Sequence, residues 1–104
     1  MSNPGYVVER KSVHPHLGDR VKLVRARIPN KKAGGLIYGY VVSHGGSWEC
    51  WFLDRPDMGR RKVPIGTQVL KDGLPAIFGL SDDAGAHVWA EVIRRRQAEP
   101  PAAI

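Results

Sequence analysis

A single cysteine, two methionines and no apolar run long enough for a bilayer already narrow what this chain of 104 residues can be. The lone Cys50 cannot close an intramolecular disulfide, and Met1 to Lys11 carries no signal-peptide pattern, so a reducing cytoplasm is the expected setting. The longest uncharged stretch, Ala33 to Trp48, is interrupted by Gly34, Gly35, Gly39, Gly45 and Gly46 and is too short to cross a membrane as a helix, so no membrane partner is expected. Internal repeats and low-complexity segments are missing as well. The length suits one small domain with one modest core.

The usual catalytic constellations are also lacking. His14, His16, His44, His87 and Cys50 show neither Cys-x-x-Cys nor His-x-x-x-His spacing, the patterns that hold a tetrahedral metal. Ser43 and His44 are neighbours on a strand end, where adjacent side chains point to opposite faces, so they make no activated pair. Asp54 and Asp57 flank a turn, and Asp82 and Asp83 fit the first turn of a helix, so structural roles account for all four. No Gly-rich loop with a following Lys-Ser or Lys-Thr stands between a strand and a helix to cradle a nucleotide. No catalytic residue and no cofactor is nominated, and binding is favoured over catalysis.

What the chain does have is positive charge, unevenly spread. The formal net charge is +6, made up of +6 over residues 1–32, −2 over 33–54, +3 over 55–73 and −1 over the remainder. Two basic stretches of this kind suit a polyanion, because neutralising phosphates releases their condensed counterions. They also suit a soluble surface with no such partner.

Residues 1–16 read as a flexible N-terminal arm with at most one edge strand at Val7 and Val8. Residues 17–73 read as strands. Arg20 to Ile28 alternates at Val21 and Leu23 and then changes phase to Val24, Ala26 and Ile28, as a bulged, bent strand does. Leu36 to Ser43 places Ile37, Gly39 and Val41 on one face and Leu36, Tyr38, Tyr40 and Val42 on the other. A tight turn at His44 to Ser47 leads to Trp48–Asp54, with Trp48, Cys50 and Phe52 facing one way and Glu49, Trp51 and Leu53 the other. Arg55 to Gly59 reads as a turn, Arg60 to Ile65 as a short strand ended by Pro64, and Gly66 to Leu70 as a closing turn. Residues 74–97 are an apolar linker and a helix over 82–97, with Ser81 as its N-cap and Val88, Trp89, Val92 and Ile93 as its apolar stripe. Residues 98–104 are expected to be a disordered tail. The expected fold is mainly β: a small five-stranded antiparallel barrel with a C-terminal α-helix.

Over residues 17–70 the pattern resembles an SH3-like barrel. Gly35-Leu36-Ile37-Tyr38-Gly39-Tyr40, then Val63-Pro64-Ile65 and Val69-Leu70, are similar in order and spacing to the type II dihydrofolate reductases carried on plasmids and integrons. That resemblance implies the small-barrel fold, a mobile-element origin and self-association around a ligand-binding pore. The family's reductase chemistry relies on a Val-Gln-Ile-Tyr strand before the Pro, where this sequence reads Arg60, Arg61, Lys62 and Val63. Gly18-Asp19-Arg20-Val21 with the later Gly39-Tyr40-Val41-Val42 also resembles KOW-type and Tudor-type barrels.

Rings interleaved with cations are what single-stranded nucleic acid recognition uses. Lys31, Lys32, Arg60, Arg61 and Lys62, with Tyr38, Tyr40 and Trp51 as exposed rings, form the expected nucleic-acid-binding set, while Trp48 and Phe52 are expected in the core. Arg94, Arg95 and Arg96 fit a solvated helix C-terminus, or an extension of the basic groove together with Arg25 and Arg27. The competing expectation is a protein-interaction module or homo-oligomer that uses its aromatic face or the apolar segment Leu74 to Leu80.

Overall fold

A computed structural model describes residues 5–9, 12–14, 18–27, 35–58 and 63–98. Its centre is an antiparallel meander of β3 (Gly18–Ala26), β4 (Ile37–His44) and β5 (Ser47–Asp57). On the outer side of β3, β1 (Tyr6–Val8) and β2 (Ser12–His14) pair one after the other along its length. Two short paired strands therefore lie within the stretch expected as an arm. On the far side of β5, β6 (Thr67–Gln68) pairs with Trp51 and Phe52, and β9 (Ile77–Phe78) with Trp48 and Glu49. The strands β7 (Leu70–Lys71) and β8 (Leu74–Pro75) form a separate hairpin, and α1 (Ser81–Ala98) packs across β4 and β5.

The β4–β5 turn explains itself from two residues. Gly45 and Gly46 have φ of 63° and 91°, the left-handed pair that a two-residue hairpin needs to match the twist of its strands. Alternation along β5 then buries both faces of the sheet. Trp48, Cys50 and Phe52 join Val24, Val41 and Val69 beneath the helix residues Ala84, Val88 and Val92. Leu53, with Trp51 packed beside it, joins Val21, Leu23, Ile37, Tyr40, Val42 and Val63 on the other face. The change of phase in β3 is real: Val21 and Leu23 serve one cluster and Val24 the other.

Four expectations about the strands are corrected. In β4, Gly39 pairs with Phe52 but Ile37 pairs with Asp57, so Tyr38 alone stands opposite residues 53–56 of β5. This bulge reverses the faces of Ile37 and Tyr38, sending Ile37 to the cluster away from the helix and Tyr38 to the helix side. It also carries β5 through the expected turn at Arg55 to Asp57, and Pro56 is tolerated there because that stretch needs no ladder donor. Finally, Val63, Pro64 and Ile65 form no strand, and the strand order β1-β3-β4-β5-β6 is not closed into a barrel among the described residues.

The helix starts at Ser81, whose hydroxyl accepts a hydrogen bond from Lys22 Nζ at 2.6 Å in place of the expected capping role; the Leu80 carbonyl accepts the first helical N–H, from Ala84, at 3.1 Å. Its close seating depends on two missing side chains. A Cβ on Gly39 would collide with the Trp51 carbonyl oxygen and Val88 Cγ1, and one on Gly85 would collide with Val8 Cγ2. Gly39→Ala is therefore expected to cost about 1–3 kcal/mol in urea denaturation. Gly85→Ala, which would stabilise an ordinary exposed helix by about 1 kcal/mol, is expected to destabilise this one. Its cost should shrink in a Val8→Ala background, as a double-mutant cycle would show.

Candidate nucleic-acid interface

The antiparallel meander sets which connections share an end of the sheet. β3 finishes at Ala26, β4 begins at Ile37 and β5 finishes at Asp57, and pairing of Arg25 with Ile37 and of Ile37 with Asp57 aligns these three positions. The connection from Arg27 to Gly35 and the one from Met58 to Val63 therefore leave from the same end. The first is pinched at its root, where Gly35 N–H donates to the Ala26 carbonyl at 2.8 Å and Ala26 N–H to the Leu36 carbonyl at 2.9 Å. Lys31 and Lys32 belong to the first connection and Arg60, Arg61 and Lys62 to the second, and all five lie outside the described residues.

The helix brings further cations to that end. Gly85 lies against Val8, and Trp89 against Tyr6 and Tyr38, so α1 runs toward the Ala26 end of the sheet. Arg94 and Arg95, both exposed, are near its C-terminus, the end where the helix dipole favours cations. The Arg95 guanidinium carbon lies 3.9 Å from the Phe52 ring centroid, and Arg95 Nε donates to Glu91 Oε1 at 3.0 Å. Arg94 also bonds Glu91 through Nε at 3.1 Å and through its terminal nitrogen. These contacts, that of Arg94 first, outweigh partial burial and hold the Glu91 carboxyl below its ordinary value. Its support to the fold is accordingly present above the ordinary Glu range and fades as pH falls through the depressed value. Arg25 is committed to structure, pairing with Glu9 and donating to the Gly35 carbonyl at 3.1 Å. Arg27 is exposed at the start of the first basic connection.

The rings named from sequence separate onto the two faces. Tyr40 is 2% exposed, which corrects its expected place at the surface. Its ring stacks on Trp51 at 6.0 Å, and its hydroxyl accepts the Gly66 N–H at 2.8 Å. Burial raises its phenol above the ordinary value, partly offset by that N–H. Trp51 is half-buried against the same cluster, with its indole Nε1 lacking a partner among the described residues. Tyr38 stands apart from both because the bulge turned it to the helix side, where it meets Trp89 edge-on at 5.3 Å and 86°. Trp89 also contacts Tyr6, at 5.6 Å and 30°. Tyr6, Tyr38 and Trp89 are each half-buried.

Cys50 is buried, its thiol donates to the Ala84 carbonyl at 3.4 Å, and burial, reinforced by Glu49, pushes it up to about 12. Among the described residues no three His, Cys, Asp or Glu side chains gather to hold a metal, and no helix is long and apolar enough to cross a membrane. A thiol reagent at pH 8 is expected to label Cys50 slowly in the native protein and fully only on unfolding in urea, read as a labelling time course. No family model, no curated protein and no solved structure matches this chain.

Proposed function

We propose that the protein is a non-catalytic binding protein that holds nucleic acid against the basic end of its sheet. The single observation behind this reading is the strand order, by which both basic connections leave from one end of the sheet, the end toward which the helix carries Arg94 and Arg95. A duplex or single strand meeting this end would exchange counterions for Lys31, Lys32, Arg60, Arg61 and Lys62. Of the rings named from sequence, Tyr38 is the one on the same side as these helix arginines, and Tyr40 and Trp51 serve the opposite cluster. Kinship with SH3-like small barrels belongs to the same proposal, supported by the bulged antiparallel meander of β3, β4 and β5 and by the cluster of Val21, Leu23, Ile37, Tyr40, Val42, Leu53 and Val63 on its face away from the helix.

The test is fluorescence anisotropy with labelled oligonucleotides at several salt concentrations. The wild type should bind with a slope of log K against log salt of several units, and replacing Arg60, Arg61 and Lys62 with Ala should weaken binding across all sequences and flatten that slope. Unchanged affinity in the triple variant sinks the reading. Glu91→Gln leaves Arg94 and Arg95 without their carboxylate, so it should bind more tightly and with a steeper slope, at a small cost in thermal stability.

A second reading, self-association or a protein partner, is favoured by one feature. Leu70 and Leu74 on the β7–β8 hairpin, and Ile77 and Leu80 after it, are 56%, 69%, 57% and 65% exposed. A monomeric mass in native mass spectrometry together with no partner in a pull-down would remove it.

A further inference from the structure

We propose that Tyr6, Tyr38 and Trp89 form a base-stacking platform at the root of the first basic connection, making single-stranded nucleic acid the preferred polyanion of this end. The inference rests on the reading of that end as a nucleic-acid surface. It starts from how the aromatics are disposed. Tyr40, Trp48 and Phe52 are buried, and Trp51 is stacked on Tyr40. Tyr6 and Tyr38, by contrast, come from β1 and β4 to meet Trp89 of α1, and the three residues, packed against the helix-side cluster, are only partly buried.

Their address matters as much as their exposure. Tyr6 is registered with Ala26, the last residue of β3, and the Arg27 N–H donates to the Gly5 carbonyl at 2.9 Å. Tyr38 follows the first residue of β4. The trio is therefore set where the Arg27 to Gly35 connection departs and returns. Gly5 is part of the construction: a Cβ there would come within 3.3 Å of Trp89 Cζ2, so its bare backbone lies against the indole and fixes it.

The surrounding charge selects the ligand. A cluster of rings can hold a cation such as a methylated lysine, or it can hold flat bases. Arg27 is exposed, Arg25 is paired with Glu9, and Arg94 and Arg95 share Glu91, so the guanidinium groups outnumber the carboxylates that pair with them and oppose a cationic guest. An anionic backbone bearing planar bases satisfies both the rings and the guanidinium groups. Bases in a duplex are already stacked on their neighbours, so only a single strand can offer them to the platform.

The test compares three probes of matched length with the intact protein: an oligothymidylate, an abasic strand with the same phosphates, and a duplex. The oligothymidylate should bind roughly tenfold to a hundredfold more tightly than the abasic strand. Tyr6→Leu, which keeps apolar bulk and removes the ring, should erase most of that gap while leaving the abasic affinity and the salt slope unchanged. Equal binding of oligothymidylate and abasic strand, or tighter binding of the duplex, overturns the platform and leaves the basic-end reading standing. No binding of any probe at low salt overturns both. If Tyr6→Leu fails to fold by circular dichroism, the comparison of strands on the wild type decides alone.

Discussion

The seating of α1 on the sheet depends on two absent Cβ atoms, at Gly39 and Gly85. With them missing, Val88 reaches the backbone of β4 and Val8 lies against the helix axis, so one helix is held by the meander below it and by β1 alongside. A glycine within a helix loses about 1 kcal/mol against alanine, and one within a strand loses side-chain packing. Both losses are offset by the apolar surface that closes over Val41, Cys50, Phe52 and Val92. Interiors are packed too densely for this arrangement to shift gradually, so the helix has one place to sit.

That position decides the chemistry of the basic end. Because α1 is held at both glycines, Trp89 falls beside Tyr38 and Tyr6, and the C-terminal arginines follow toward the end where β3 and β5 finish. The bulge opposite residues 53–56 supplies the other half, since without it Tyr38 would join Tyr40 on the far face. Rings and strand ends are thus brought together by apolar packing, with Lys22 on Ser81 and Arg95 over Phe52 tying the two ends of the helix to the sheet.

The sequence made the local patterns legible and left the long-range ones hidden. Alternation from Trp48 to Leu53 gave both faces of β5, and the apolar stripe with its acidic start gave the helix to within a residue or so at each end. The bulge escaped because nothing in Ile37-Tyr38-Gly39 distinguishes a skipped residue from a regular one until Asp57 is found opposite Ile37. Tyr40 looked like a surface ring because alternation alone does not tell which face is dry, and here both faces are. Tyr6 and Trp89 are hidden for a different reason: one stands in a segment rich in turn residues and the other in an ordinary helix stripe. Their meeting is a tertiary fact, and its only traces in the sequence are two glycines, Gly5 beside Tyr6 and Gly85 one helical turn before Trp89.

The attachment of β1 has a kinetic side. β1 pairs with β3 at a sequence separation like that between β3 and β4, whereas its contact with α1 joins Tyr6 and Val8 to residues some eighty positions later along the chain. That contact with α1 is the long-range one and the slower to form, and a strand of three residues at the edge of the sheet contributes few contacts of its own. Such a strand opens as a local unit at lower free energy than the meander. Tyr6 rides on that unit, so the aromatic trio is complete only while β1 is docked, and a ligand that touched all three rings would act as a latch that slows amide exchange along β1.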